Sequence, residues 1–405
     1  MKKFMVPLLT VVVVVSVIFA GCLPAPAVTP PPVTPPVTPP VTPPVTPPVT
    51  PPPEAPALNP FGENFAVKPD GTPYNCPVCS AFTASMWPLT GANIPKSFIE
   101  RAGGKCTVYD PDFVLERQIS ALEDILIMRP DALIIEPVDS DAVVPMCDRL
   151  VDAGIPVLNY DLALNSDKKI THVWHGEAER AAIYAQWLIE QAEATGEPIH
   201  VYEIWCPMVF QCSRDRHTGF HETVEGHPLI TVLEGPDCCA WADLVANAIV
   251  DTFPANPELN AIFSHGGDVA GFIEGLRRIG RLYPAGHPDH VYFGHLDAPP
   301  DILPALFNGY LDMAVEHSPY EEGDVVVKAM FTSVVLGQPI PKEILMSSMA
   351  VTLDNFYEPR WGAPGRWAAM PLGHWDEWPV LDIPPEEIGG LVTPTLAMRM
   401  ELQGY

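Results

Sequence analysis

Arg129-Pro130-Asp131-Ala132-Leu133-Ile134-Ile135-Glu136-Pro137-Val138-Asp139-Ser140-Asp141, followed by Asp152-Ala153-Gly154-Ile155-Pro156-Val157, holds one full unit of the pattern that decides the fold. Ala132-Leu133-Ile134-Ile135 is a short, continuous apolar run, the type expected of a strand buried on both faces. A helix is expected from Asp141 to Gly154, and Ile155-Pro156 then leads into the strand Val157-Leu158-Asn159-Tyr160. Upstream, Thr107-Val108-Tyr109 precedes a segment with Leu115, Ile119, Leu122 and Leu126 on one helical face, giving the order β-α-β-α-β. Downstream the alternation continues, with strands expected at 200–205, 229–233, 261–263 and 291–293 and helices at 216–225, 241–253 and 268–281. Such alternation implies doubly wound parallel sheets with helices on both faces and ligands at the carboxyl ends of the strands. No phosphate loop or dinucleotide fingerprint interrupts it.

Composition narrows the class. With 50 Asp and Glu against 22 Lys and Arg, the formal net charge of -28 opposes nucleic acid and anionic lipid surfaces as partners. The N-terminus reads as an export signal over 1–21: Lys2 and Lys3, an apolar run to Ala20, then Gly21 before Cys22. An uncleaved membrane anchor is the alternative, because the apolar run is nearly long enough to span a bilayer. Either reading puts the rest of the chain outside the cytoplasm. A Pro- and Thr-rich stalk follows over 22–58, with Pro-Pro-Val-Thr repeated at a period of four. Proline fixes φ and removes backbone donors, so this segment is expected to run as polyproline II, on the order of 100 Å long. About 345 residues remain, enough for two lobes of ordinary domain size.

Apart from Cys22, eight of the nine cysteines remain: Cys76, Cys79, Cys106, Cys147, Cys206, Cys212, Cys238 and Cys239. An even number in an exported chain predicts disulfides, and the neighbours Cys238 and Cys239 are expected to bond to two different partners. Cys76-Pro77-Val78-Cys79 has metal-ligand spacing but no second pair to complete a zinc site. His217 and His221 lie one helical turn apart and read as a solvated face rather than a metal site.

The opening block resembles the first lobe of type I periplasmic binding proteins of the ribose and galactose class. Three later blocks fall in the same order: Ser213-Arg214-Asp215-Arg216-His217-Thr218-Gly219-Phe220, Gly294-His295-Leu296-Asp297 and Asn308-Gly309-Tyr310-Leu311. The resemblance covers roughly 76–353. It implies two doubly wound parallel-sheet lobes, 59–174 with 318–347 and 175–317 with 348–360, joined by a three-crossover hinge. The crossovers would lie near Trp174-His175, His317-Ser318 and 346–349, and a C-terminal extension rich in aromatic residues and proline would occupy 361–405. Disulfides would then form within lobes, because closure rotates one lobe against the other.

The resemblance also implies candidate ligand residues. Asp161, after the strand 157–160, and Asp297, twelve residues before Gly309, are the expected hydroxyl acceptors; Arg216 is the expected donor, with Arg214 as the alternative. Leu162 stands where relatives often carry an arginine. His317 falls at the position of a hinge glutamine. His265 or Asp268 would replace an absent cleft asparagine, and Glu136 adds a carboxylate beside Asp161. Trp87 and Trp241 are candidate aromatic walls for a sugar ring; Asp268, with Asp112 and Asp141, also reads as a helix cap. The expected function is capture of a sugar or sugar-like polar small molecule and its delivery to an ABC importer permease. Attachment is expected through a lipid on Cys22 to the outer face of the cell membrane, with no catalysis, cofactor or metal. The alternatives are a receptor signalling to a membrane kinase or chemoreceptor, and a binder of a cationic or other non-sugar ligand. A hydrolase using Glu136, Asp161, Asp297 and His265 lacks any nucleophile motif.

Overall fold

A computed structural model describes residues 64–354, apart from 209, 240, 300, 301 and 347, and these residues belong to one compact unit. The signal segment, Cys22, the stalk and the C-terminal extension lie outside the described residues. Among the described residues no helix is long and apolar enough to cross a membrane.

The chain builds β1 (Val78–Cys79), α1 (Met86–Arg101), β2 (Val108–Tyr109), α2 (Leu115–Met128), β3 (Leu133–Ile135), α3 (Val144–Asp152), β4 (Val157–Tyr160) and β5 (Thr171–His175). It then enters α4 (Glu177–Thr195) and continues as β6 (Ile199–Ile204), α5 (Gln211–Val224), β7 (Ile230–Glu234), α6 (Ala242–Thr252), β8 (Ala261–Ser264), α7 (Val269–Arg278), β9 (Tyr292–Leu296), α8 (Ile302–Phe307) and β10 (Met313–Val315). The last elements are α9 (Pro319–Met330), β11 (Glu343–Met346) and β12 (Ala350–Val351).

Two six-stranded sheets result, ordered β11-β5-β4-β3-β1-β2 and β12-β10-β9-β8-β6-β7. Every pairing is parallel except β12 against β10. The sheets are therefore topological copies, with β1 to β5 matching β6 to β10 position by position. The chain passes between them three times, after His175, after Val315 and after Met346.

Strands β3 and β4 are buried at every residue, which explains the unbroken apolar sequence of β3; in β4 the buried Asn159 is satisfied by backbone groups, donating to the Ile135 and Leu162 carbonyls and accepting from Leu164 N. In α2 the inward positions are Gln118, Leu122 and Ile125, while Ile119 and Leu126 are half-buried, so the face is rotated from the one the apolar residues predict. Gln118 moves inward because its amide donates to the Ser80 and Glu136 carbonyls and accepts from Val138 N, satisfying backbone groups where β1 and β3 end. The 19-residue α4 adds a helix to those expected from the sequence, and its alanine-rich run ending at Gly196 (φ 72°) carries the signal.

The cysteines correct the sequence expectation. Among the described residues one disulfide forms, Cys206–Cys239, inside the second lobe, and Cys238 and Cys212 stay free. Cys76, Cys79, Cys106 and Cys147 in the first lobe are buried free thiols. Cys79 and Cys147 pack in one apolar cluster with Leu122, Leu133 and Ile135, so they serve as small apolar side chains. Burial pushes the thiols of Cys79, Cys106 and Cys147 up to about 12, which removes thiolate reactivity.

Candidate functional site

At the carboxyl end of β4 stands Asp161, and at the equivalent end of β9 stands Asp297. Both adopt positive φ, 53° and 83°, a conformation that non-glycine residues rarely hold. Both amides donate to the neighbouring strand, Asp161 N to the Val173 carbonyl at 3.0 Å and Asp297 N to the Val315 carbonyl at 2.9 Å. Each lobe thus spends backbone strain to turn one carboxylate out of its sheet, a feature that clusters at functional sites.

The two carboxylates converge on His317, in the segment between β10 and α9. Its Nε2 lies 3.3 Å from Asp161 Oδ1 and 3.1 Å from Glu322 Oε1, and its Nδ1 lies 3.2 Å from Asp297 Oδ1. Burial and Arg180 oppose the imidazolium, but Glu322, Asp161 and Asp297 outweigh them and raise His317 well above the ordinary histidine value. Trp87 fixes the same residue: its Nε1 donates to the His317 carbonyl at 2.9 Å and its ring lies 4.6 Å from the imidazole.

On the second lobe the cations are Arg180 and Arg216. Arg180, fully buried, donates to Asp297 Oδ1 at 2.6 Å and to Glu177 Oε2 at 2.7 Å. Arg216 donates through Nε to the same Glu177 oxygen at 2.5 Å and through Nη1 to the His265 carbonyl at 2.5 Å. Burial works against both carboxylates, yet Arg180 and Arg216 hold Glu177 down at about 2, and Arg180 with His317 holds Asp297 well below the usual carboxylate range. Gly266 (φ 116°) passes so close that a Cβ there would sit 2.8 Å from Asp297 Oδ2, so the close approach requires glycine.

The first lobe adds Glu136, which follows β3 and is buried. Ser80 Oγ lies 2.9 Å from its Oε2, with the Ala81 amide and the Tyr160 hydroxyl each at 3.3 Å. Burial and the Asp161 charge lift its carboxyl to about 8. Beside this cluster, and sharing Asp161 and Glu177 with it, a cavity of about 300 Å³ is walled by Asn165 and Trp174 of the first lobe and by Cys212 and Asp215 of the second. Asp161, Glu177 and His317 also bring ligand atoms within 4.8 Å of one another, close enough to share a metal ion.

Residues 95–338, well over half of the chain, match the family model described as a periplasmic binding protein domain. The chain belongs to the periplasmic binding protein family. It is 26% identical over 246 residues to the galactofuranose-binding protein YtfQ of Escherichia coli, covering 59% of this chain and 76% of that protein. To the ribose import binding protein RbsB of E. coli it is 24% identical over 226 residues, covering 55% and 72%. Among solved structures, a galactofuranose binding protein superposes with a TM-score of 0.61 at 23% identity, covering 70% of this chain and 96% of that one. An ABC transporter solute binding protein from Burkholderia graminis, in complex with D-arabinose, gives 0.63 at 21% identity over 72% and 99%. The fold is that of the type I class, two parallel-sheet lobes.

Of the residues singled out from sequence, this periplasmic binding protein gathers Asp161, Asp297, His317, Arg216, Glu136 and Trp87 around one inter-lobe cluster. Three do not join it through their side chains. Asp268 is exposed and caps α7, accepting from Ala270 N at 2.8 Å, because a helix start offers its carboxylate an unpaired amide. Trp241 is half exposed at the start of α6. His265 contributes its carbonyl to Arg216, but its ring turns inward to Glu203 at 2.8 Å. Trp87 presents its ring to His317 and Tyr160, so it braces the crossover instead of offering a free face. Sequence reasoning missed Arg180 and Glu177, both on α4; their i, i+3 spacing just after a strand was the available signal.

Proposed function

We propose that the protein captures a sugar or sugar-like polar small molecule between its lobes by hinge closure and delivers it to an ABC importer. It acts as a binder without catalysing a reaction. The observation that carries this reading is the meeting of two strand-end aspartates, one from each lobe, on one crossover histidine. Three crossings of short chain allow the lobes to rotate, and closure brings acceptors from both sides to one ligand. Asp161 and Asp297 each engage His317 through Oδ1, and carboxylates offer about four acceptor positions each, which suits paired hydroxyls. Arg216 supplies donors from the second lobe, in a site that closure dries, where charge-assisted bonds gain strength. Relatives named for galactofuranose and ribose binding support the sugar assignment.

Native mass spectrometry of the protein as purified, followed by calorimetric titration with ribose, arabinose and galactofuranose, tests this. A retained or titratable sugar at one per chain is expected. Binding of none of these, with saturable binding of a polyamine instead, would overturn the sugar reading and leave the cationic one. For location, we propose that Cys22 carries a lipid at the outer face of the membrane. A single acyl chain anchors only marginally, so further acylation is implied. Cys22→Ser is expected to release the protein from membranes, and unchanged membrane association would favour an uncleaved anchor.

A further inference from the structure

A second cluster lies in the second lobe, apart from the inter-lobe site. Glu203 on β6 is fully buried, and three imidazoles converge on its carboxylate. His217 Nδ1 lies 3.1 Å from Oε1, His221 Nε2 lies 2.9 Å from Oε2, and His265 Nε2 lies 2.8 Å from Oε1. His217 and His221 come from successive turns of α5, with ring centroids 4.0 Å apart. One ligand atom from each of Glu203, His217 and His221 falls within a sphere where all separations are below 4.8 Å. A tetrahedral ion with nitrogen and oxygen ligands at about 2.0 to 2.2 Å sets those ligands about 3.3 Å apart, so the carboxylate-to-imidazole distances need little change.

We propose that Glu203, His217 and His221 form a binding site for a divalent transition-metal ion, with zinc as the ion its donors suit best. Two imidazoles and one carboxylate form a donor set that zinc uses with a fourth position left open. Imidazole nitrogen with carboxylate oxygen excludes the all-oxygen preference of calcium and magnesium. An entry path exists, because the His217 and His221 side chains are 26% and 30% exposed while Glu203 is closed off behind them. His265 Nε2, at 2.8 Å from Glu203 Oε1, holds the carboxylate from the buried side. Trp205 stacks on His217 with ring centroids 4.2 Å apart and lies 5.2 Å from His265, supplying the apolar wall that limits water around a metal. Bound there, the ion would tie α5 to the end of β6, next to Arg216 in sequence.

The test is zinc titration of the full-length protein after chelator treatment, read by calorimetry and by the visible spectrum of the cobalt-substituted form. One equivalent of zinc per chain is expected, with a tetrahedral cobalt spectrum and a raised melting temperature. His217→Gln and His221→Gln keep a donor toward Glu203 but remove a ligand, so they are expected to lower zinc affinity by more than the tenfold to hundredfold typical of losing an outer-shell partner. His317→Gln, in the inter-lobe cluster, is expected to retain the equivalent. Absence of saturable zinc binding would overturn the proposal. So would retention of the tight equivalent in both α5 variants, or its loss in His317→Gln alone, which would move the metal to the inter-lobe cluster. The sugar titration is read separately, so failure here leaves the ligand assignment untouched.

Discussion

Asp161 and Asp297 occupy the same position in two copies of one sheet, yet their surroundings differ in sign. Around Asp297 the second lobe supplies Arg180, with Arg216 close by, and the half-buried carboxylate stays charged. Among the described residues the first lobe supplies no guanidinium to Asp161; its neighbour at the end of β3 is another acid, Glu136, whose carboxyl is pushed up to about 8. The equivalent of Glu136 in the second lobe, at the end of β8, is His265. Duplicated topology therefore positions the groups, and their neighbours decide the work. Asp297 is built into an ion network with Arg180 and Glu177, whereas the side chain of Asp161 is held by His317.

The largest effect is expected from Arg180→Ala, which strands Asp297 and Glu177 without their principal buried cation. Breaking a buried pair in this way costs about 3 to 5 kcal/mol, visible as a lower denaturant midpoint in the ligand-free protein. Asp161→Ala in the same assay is expected to cost far less, and equal losses would break the contrast between the lobes.

The pH dependences contributed by Glu177 and Glu136 should have opposite sign. Glu177 is depressed to about 2, so its contribution is complete above its ordinary value near 4.5 and is lost as pH falls from there toward 2. Glu136 is raised, so its contribution is complete below about 4.5 and is lost as pH rises toward 8. Each pKa unit corresponds to about 1.4 kcal/mol, so each of these changes amounts to a few kcal/mol at most. Melting curves from pH 4.5 to 8 should show Glu136→Gln declining less than the parent protein. An unchanged decline would show that Glu136 is charged in the fold.

Ligand affinity brings the lobes together. Asp161→Ala and Asp297→Ala are each expected to weaken sugar binding roughly tenfold to a hundredfold, because ligand hydroxyls lose acceptors at a cost of about 1 to 3 kcal/mol. Asp297→Ala should add a stability loss that Asp161→Ala lacks. Calorimetric titration with the co-purified sugar, run beside ligand-free melting, separates these outcomes; near-native affinity in both variants would place the sugar elsewhere. The smallest effect belongs to Asp268→Ala, which removes one helix cap for about 1 kcal/mol and should leave sugar affinity unchanged. A clear affinity loss there would return Asp268 to the cleft.

Much of this was legible from local pattern. Apolar runs of strand length alternating with helical periodicity announce a doubly wound sheet, because each element's burial is written in its own residues. Asp161 and Asp297 were singled out through the family resemblance, and the structure sets both directly after a strand, at the sheet's carboxyl edge. Other features were set only by tertiary contact. Arg180 meets Asp297 across 117 residues of chain, and nothing near either residue records that meeting. His217 and His221 read as a solvated face until folding put the Glu203 carboxylate beneath them. Likewise, eight cysteines beyond Cys22 suggest several disulfides, but a bond forms only where two sulfurs are brought together, as at Cys206 and Cys239. Local sequence determines which elements form, since that depends on neighbours along the chain, whereas the face α2 buries was turned by the backbone groups that Gln118 meets. Partners in charge and in sulfur chemistry depend on distances through space, and those were decided by how the two sheets and their helices pack.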